Sequence, residues 1–129
     1  MPEQFTVKNL SEVEDSAAGQ SPNGEAQVRF AGRAVDAGDT GFAHHRYAPG
    51  IRQPFGHRHE NAEEVYVVID GSGRVKLDDD IVEIERLDAI RVAPNVVRSF
   101  EAGDDGLEFL AFGPSHEGDG ELVNGWWTD

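Results

Sequence analysis

Three residues of types that bind metal ions lie close together near the middle of the chain. His57 and His59 form a His-x-His pair, and Glu64 follows five residues later. Side chains two residues apart in a strand point to the same face, at a spacing of about 7 Å, so the two imidazoles can converge on one ion. Two imidazoles and one carboxylate, with coordination positions left open, form the ligand set of non-haem iron sites, and manganese, nickel, cobalt and zinc also accept it. The pattern predicts a divalent transition metal site.

A candidate for a fourth ligand lies in an earlier segment that is predicted to be a strand, Gly41 to Tyr47. The face of this strand that carries Tyr47 also carries His45, so His45 joins the site if that face is the inner one. A slip of one residue in register would present His44 instead. Water or a substrate could also supply the fourth contact.

The residues that surround these candidates are predicted to form short strands. The strongest apolar run is Glu64 to Ile69, and the residues after it, Asp70 to Gly73, are typical of a turn. The other predicted strands are Gln27 to Phe30, Gly41 to Tyr47, Arg74 to Leu77, Ile81 to Ile84, Ala89 to Val92, Val97 to Phe100 and Leu107 to Phe112. Apolar residues show no sustained helical spacing. This pattern predicts an all-β sandwich or barrel.

The chain of 129 residues is predicted to be a single domain with three parts. Residues 1–25 form a polar arm with at most a short strand at Phe5 to Val7, residues 26–112 form the barrel, and residues 113–129 form an acidic, Gly-rich tail. Trp126 and Trp127 in this tail are costly to leave in water. They are expected to pin the tail onto the barrel or to dock a second subunit.

Composition excludes several classes of function. There is no cysteine, which rules out disulfides, thiolate metal sites and a catalytic Cys. The net charge of −14, from 25 acidic and 11 basic residues, would repel nucleic acid and anionic membrane surfaces. The start of the sequence lacks a basic segment followed by an apolar run, and no apolar stretch reaches the length of a membrane span. A cytoplasmic location is therefore expected.

The run from Gly56 to Gly71, GHRHENAEEVYVVIDG, resembles the first motif of the cupin superfamily. That motif reads His, one residue, His, four residues, Glu, six residues and Gly, and His57, His59, Glu64 and Gly71 match it. The resemblance extends over about Ala43 to Phe112. It implies an antiparallel double-stranded β-helix, the jelly-roll barrel of cupins, with these two His and one Glu as metal ligands.

The second cupin motif is altered in this chain. Leu87-Asp88 stands where the family has Gly-Asp, and Asn95 follows Pro94 at the turn. Arg98 occupies the place of the His that supplies the fourth ligand in the family. Arginine stays protonated and offers only hydrogen-bond donors, so Arg98 cannot bind a metal. It could instead pair with Glu64, because a buried carboxylate needs such a partner.

Three interpretations of this cluster remain open at this point. In the first, the two His and Glu64 hold a divalent metal, and Arg98 orients a small anionic substrate beside it. In the second, Arg98 pairs with Glu64 in a metal-free, non-catalytic module that binds or senses an anionic ligand. In the third, the barrel has only a structural role. The resemblance implies oxygenase, isomerase or decarboxylase chemistry without selecting one, so whether the chain is an enzyme stays open.

Tyr66, Tyr47 and Phe100 are candidates to contact the substrate together with Arg98, and ordinary core packing is their alternative role. The polar arm, the two tryptophans and the open edge of a barrel favour a homodimer, as the resemblance to small cupins also implies.

Overall fold

Eight antiparallel β-strands make up most of the computed structural model, which describes residues 4–114 and 120–129. The strands are β1 (Ala26–Arg29), β2 (Thr40–Tyr47), β3 (Gly56–His59), β4 (Glu64–Leu77), β5 (Asp80–Glu85), β6 (Ala89–Val92), β7 (Arg98–Pro114) and β8 (Gly120–Val123). A 3-10 helix, Leu10–Glu12, precedes them, and a short helix α1, Ala31–Ala34, follows β1. The predicted all-β, antiparallel fold class is confirmed. Within the described residues, no helix is long and apolar enough to cross a membrane.

Two long strands, β4 and β7, organise the curled sheet. One path through the sheet runs β1-β2-β7-β3-β8, and β4 joins it by pairing with β7 while also pairing with β5 and β6. The short strand β3 lies between β7, where His57 is opposite Arg98, and β8, where it is opposite Leu122. The strand that carries the His-x-His pair is therefore supported on both sides.

The turn predicted at Asp70 to Gly73 is wrong, because β4 continues through it to Leu77. The register between β4 and β7 shifts between Val68 and Asp70 and again between Gly71 and Gly73. Gly71 has a φ of 77°, and a Cβ at this residue would lie 2.1 Å from the carbonyl oxygen of Gly106. The glycines therefore allow β-bulges, at which one long strand bends against another, rather than a reversal of the chain.

Other boundaries also differ from the predictions. Residues 98–100 and the segment Leu107 to Phe112 are parts of the one strand β7, because β4 pairs with both, and Val97 lies just before this strand. Phe5 to Val7 is not a strand, and Phe5 and Val7 are exposed. The tail contains β8, which the sequence analysis missed.

The core lies on the inner face of the curled sheet. Side chains alternate along β4, so Tyr66 and Val68 point inward, where they lie opposite Ala111 and Phe109 of β7. The buried cluster consists of Tyr47, Tyr66, Val68, Val75, Ile84, Val92, Phe100, Ala102, Leu107, Phe109 and Ala111. This apolar floor lies beneath the predicted site.

The predicted docking of the tail onto the barrel is confirmed. The indole Nε1 of Trp127 donates hydrogen bonds to the carbonyl oxygen of Gln53, at 2.9 Å, and to Oγ of Ser99, at 3.0 Å. The guanidinium of Arg52 lies 4.3 Å from the centre of the Trp127 ring, which is a cation–π distance. Trp126 packs so closely on Gly56 that a Cβ there would lie 2.8 Å from its ring.

Candidate metal centre

Strands β3 and β4 bring the two His and Glu64 together. His57 and His59 lie two residues apart on β3, and their rings are 5.4 Å apart and nearly perpendicular. Glu64 is the first residue of β4. Its Oε1 lies 3.4 Å from Nε2 of His57 and 3.1 Å from Nε2 of His59. Alternation along a short strand therefore aims both imidazoles at one carboxylate.

This donor set fits a metal ion. Each of the three residues offers one ligand atom, and these atoms all lie within 4.8 Å of one another. Two imidazoles and a carboxylate suit iron, manganese, cobalt, nickel or zinc. The side chains are 24%, 19% and 18% exposed for His57, His59 and Glu64 respectively, so the cluster is partly buried. The prediction of a His-His-Glu group that could hold a metal ion is confirmed.

Glu64 is held in its ionised form, which is the form that binds a metal. Burial alone would raise the pKa of Glu64, but hydrogen bonds from His57, His59 and Tyr66 lower this pKa well below its usual range. The Tyr66 hydroxyl donates to Oε1 at 2.5 Å. The same contact contributes to the raised pKa of Tyr66, of which burial is the largest cause. The tyrosine therefore stays protonated and keeps donating.

Arg98, the first residue of β7, lies fully buried beside Glu64. Its Nη2 is 3.5 Å from Oε1 of Glu64. Its Nη1 donates to three carbonyl oxygens, those of Val96 at 2.8 Å, Pro94 at 3.3 Å and His57 at 3.5 Å. Nε and Nη2 make no hydrogen bond to any residue in the described ranges. The guanidinium is therefore anchored by one nitrogen and faces the cluster with another.

His45 lies on the inner face of β2, as one of the two registers considered for this strand requires. Its ring stacks on Phe109 with centres 4.6 Å apart, and its Nδ1 lies 2.9 Å from the Tyr47 hydroxyl. Burial, followed by the charge of His57, lowers the pKa of His45 to about 3, so the ring is neutral. His45 is not part of the three-residue group described above. His44 points to the other face, where its Nε2 lies 2.6 Å from Glu108.

The aromatic candidates for substrate contact are buried in the core. Tyr66, Tyr47 and Phe100 are 2%, 5% and 1% exposed. The rings of Tyr66 and Phe100 lie 4.8 Å apart, and Phe100 stacks on Phe109 at 4.3 Å. Of these residues Tyr66 contacts the cluster directly, through Glu64. Substrate contact by Tyr47 and Phe100 stays a prediction.

Gln53 is a positioning residue that the sequence analysis missed. Its side-chain amide donates to the Tyr47 hydroxyl at 2.8 Å and accepts from the backbone N–H of Phe100 at 3.0 Å. It thereby links Tyr47 and Phe100 in the core to the segment before β3. An isolated Gln between predicted strands carries no signal in the sequence for this role.

A groove elsewhere on the barrel, of about 330 Å³, is lined by charged residues that include Arg46, Asp70, Asp105 and Glu108. None of the three cluster residues lines it. Among the described residues, the one group of ligand atoms that could hold a metal ion lies at the cluster and not in this groove.

Comparison with known proteins identifies the family. The model of the Cupin domain matches residues 43–113, which is more than half of the chain. This chain belongs to the cupin family. The matched segment of this cupin contains His57, His59, Glu64 and Arg98, so both the intact motif and the altered one lie within it.

Solved structures confirm the cupin fold. A cupin protein from Bacteroides fragilis superposes with a TM-score of 0.70 at 18% identity, covering 90% of this chain and 88% of that one. The polyketide cyclase RemF from Streptomyces resistomycificus gives 0.73 at 18% identity, covering 95% and 87%. The oxalate decarboxylase from Lactobacillus farciminis gives 0.67 at 21% identity, covering 87% of this cupin and 34% of that chain. A search of curated protein sequences gives no match.

Proposed function

We propose that this cupin binds a divalent transition metal ion through His57, His59 and Glu64 and acts on a small anionic molecule at that ion. The observation that carries this proposal is the convergence of three ligand atoms within 4.8 Å of one another. When bound, such an ion supplies Lewis acidity or redox chemistry. Reactions of the oxygenase, isomerase or decarboxylase type suit it, and the similar structures of a cyclase and a decarboxylase support an enzymatic role.

The chain's own residues would prepare this site. The Tyr66 hydroxyl and the two imidazoles keep Glu64 ionised and fix its orientation. Arg98 places a permanent positive charge beside the cluster, which favours an anionic substrate over a neutral one. The buried rings of Tyr66 and Phe100 close the inner side of the site to water. A fourth contact would come from the substrate or from water, since Arg98 cannot be a ligand.

The alternative function is a metal-free module that binds or senses a small anion. The contact of 3.5 Å between Nη2 of Arg98 and Oε1 of Glu64 favours it, because the guanidinium then supplies the positive charge that the carboxylate needs. In this case the cluster would have no metal affinity, and a small acid would raise the thermal stability by mass action.

Metal binding separates the two functions. We expect the protein to take up about one equivalent of Mn²⁺, Fe²⁺, Co²⁺, Ni²⁺ or Zn²⁺, measured by elemental analysis after soaking and by calorimetric titration. The double variant His57→Ala/His59→Ala should lose this binding. His44→Ala is the matched control, because His44 lies on the opposite face of β2, bound to Glu108, and should leave binding unchanged. Less than about a tenth of an equivalent in the wild type, both with and without a small dicarboxylate in the solution, or full uptake by the double variant, would rule out the metal site.

We also propose that the protein is a homodimer. Strand β5 pairs only with β4 among the described residues, and Ile81 and Val82 on it are exposed at 46% and 45%. An open edge with apolar side chains is a ready surface for a second copy. Small-angle scattering should give the mass of two chains, and the mass of one chain would contradict this proposal.

A further inference from the structure

Among the residues that the structure describes, one guanidinium and one carboxylate balance each other at the cluster. Oε1 of Glu64 faces Nη2 of Arg98 at 3.5 Å. The neighbouring acid, Glu63, is exposed and lies 3.4 Å from Arg91 on the surface. In the part of the chain that the structure describes, Glu64 is thus the one carboxylate paired with Arg98. A divalent cation added here would leave an excess of two positive charges around one carboxylate.

Arg98 cannot relieve this excess by moving or by losing its proton. Its side chain has no exposed surface, and Nη1 is held by three backbone carbonyl oxygens. A guanidinium does not deprotonate in a protein. Nε and Nη2 make no hydrogen bond to the described residues, and the carboxylate that faces Nη2 is that of Glu64, at 3.5 Å. The positive charge therefore remains aimed at the place where the ion would bind.

We propose that Arg98 makes metal binding depend on a second ligand, so that the centre binds its ion tightly only together with a small dianion such as a dicarboxylate. This inference rests on the proposed metal site and adds the class of its co-ligand. A dianion cancels the excess of two charges, whereas a neutral molecule leaves it in place. The coupling is reciprocal, so the metal tightens binding of the dianion by the same factor.

The dependence on Arg98 distinguishes this coupling from the ordinary attraction between a metal and an anion. Replacing Arg98 by Met removes one positive charge from a buried position next to Glu64. Coulomb repulsion at an effective dielectric constant of about 20 corresponds to at least about a tenfold change in metal affinity. Arg98→Met should therefore bind metal more tightly without an anion and respond less to one. Arg91→Met is the matched control, because it removes an arginine charge at the surface, where Arg91 lies 3.4 Å from Glu63.

The experiment compares Mn²⁺ binding in malonate, a dianion, and in malonamide, its neutral analogue. Calorimetric titrations are corrected for the complex that malonate forms with Mn²⁺ in solution. We expect malonate to lower the Mn²⁺ dissociation constant of the wild type and of Arg91→Met by about tenfold or more, and that of Arg98→Met by no more than about threefold. In malonamide, Arg98→Met should bind Mn²⁺ about tenfold more tightly than the wild type does.

Each result decides between the proposals. Equal Mn²⁺ affinity of the wild type in malonate and malonamide, or an equal malonate effect in Arg98→Met, overturns the inference and leaves the metal site intact. No Mn²⁺ binding in either solution, by any variant, overturns both. If Arg98→Met does not fold, Arg98→Gln serves in its place, because its neutral amide can still donate to the Val96 carbonyl oxygen.

Discussion

His45 should lower the stability of this cupin as the pH falls, and the substitution His45→Phe should remove this contribution. The ring lies on the inner face of β2, stacked on Phe109, with its Nδ1 2.9 Å from the Tyr47 hydroxyl. Burial lowers the pKa of His45 from 6.5 to about 3. His45→Phe replaces the ring by one that can stack on Phe109 and cannot titrate.

The sign and size of the effect follow from proton linkage. Below its ordinary pKa of 6.5 the unfolded chain binds a proton on His45 that the folded chain refuses until about pH 3. The stability contributed by His45 is therefore fully present above pH 6.5 and is lost as the pH falls toward 3. Between pH 6 and pH 4 this loss is about 2.5 kcal/mol. The variant also loses the hydrogen bond between His45 and Tyr47, which lowers its stability by an amount that does not depend on pH.

Urea denaturation at several pH values between 6 and 4 measures this difference. Carboxylates contribute to both proteins, so the wild-type stability minus that of His45→Phe isolates the histidine. This difference should fall by about 2.5 kcal/mol over the range. Two pH profiles that run parallel would show that the folded protein accepts the proton on His45, and the argument from burial would be refuted.

Three further outcomes are expected. Gly71→Ala should lower the free energy of unfolding in urea by more than about 3 kcal/mol, because its Cβ would lie 2.1 Å from a backbone oxygen. The control Gly50→Ala has the same φ of 77° and no atom within 4 Å of the added Cβ, so it should cost about 1 kcal/mol. Equal costs would contradict the bulge geometry. Trp127→Leu should lower the free energy of unfolding by about 2 to 4 kcal/mol in the same assay, because two hydrogen bonds and a cation–π contact are lost. A decrease of less than about 0.5 kcal/mol would mean that the tail is not docked. Tyr66→Phe should lower the stability at pH 7 by about 1 to 2 kcal/mol, because the carboxylate of Glu64 loses a hydrogen-bond donor. The same loss should raise the pKa of Glu64 in an NMR titration, and an unchanged pKa would exclude the hydrogen bond from Tyr66 to Glu64.

The ligand cluster could be predicted because local geometry determines it. Side chains two residues apart in a strand point to the same face, so His57 and His59 converge wherever β3 lies in the sheet. The spacing from this pair to Glu64 matches a known motif. Arg98 could be placed beside Glu64 for a different reason, because it takes the position of a metal ligand in the second cupin motif.

The errors arise where distant partners decide the structure. Asp70 to Gly73 has the composition of a turn, and only the long strand β7 alongside makes it a bulged strand. Strand β8 pairs with β3 and carries no strong apolar alternation of its own. Gln53 makes its hydrogen bonds with Tyr47 and Phe100, and the curling of the sheet brings these two residues close to it. A single sequence shows local patterns and leaves such pairings undetermined.

The position of β3 also has a consequence for the order in which the parts of the protein fold during synthesis. His57 pairs with Arg98 on one side and with Leu122 on the other, and both partners follow it in the chain. While the ribosome is still adding residues, the His-x-His segment therefore emerges with neither neighbour present. Closing such long loops is slow. The two imidazoles would thus reach their final arrangement among the last steps of folding, after β8 has left the exit tunnel.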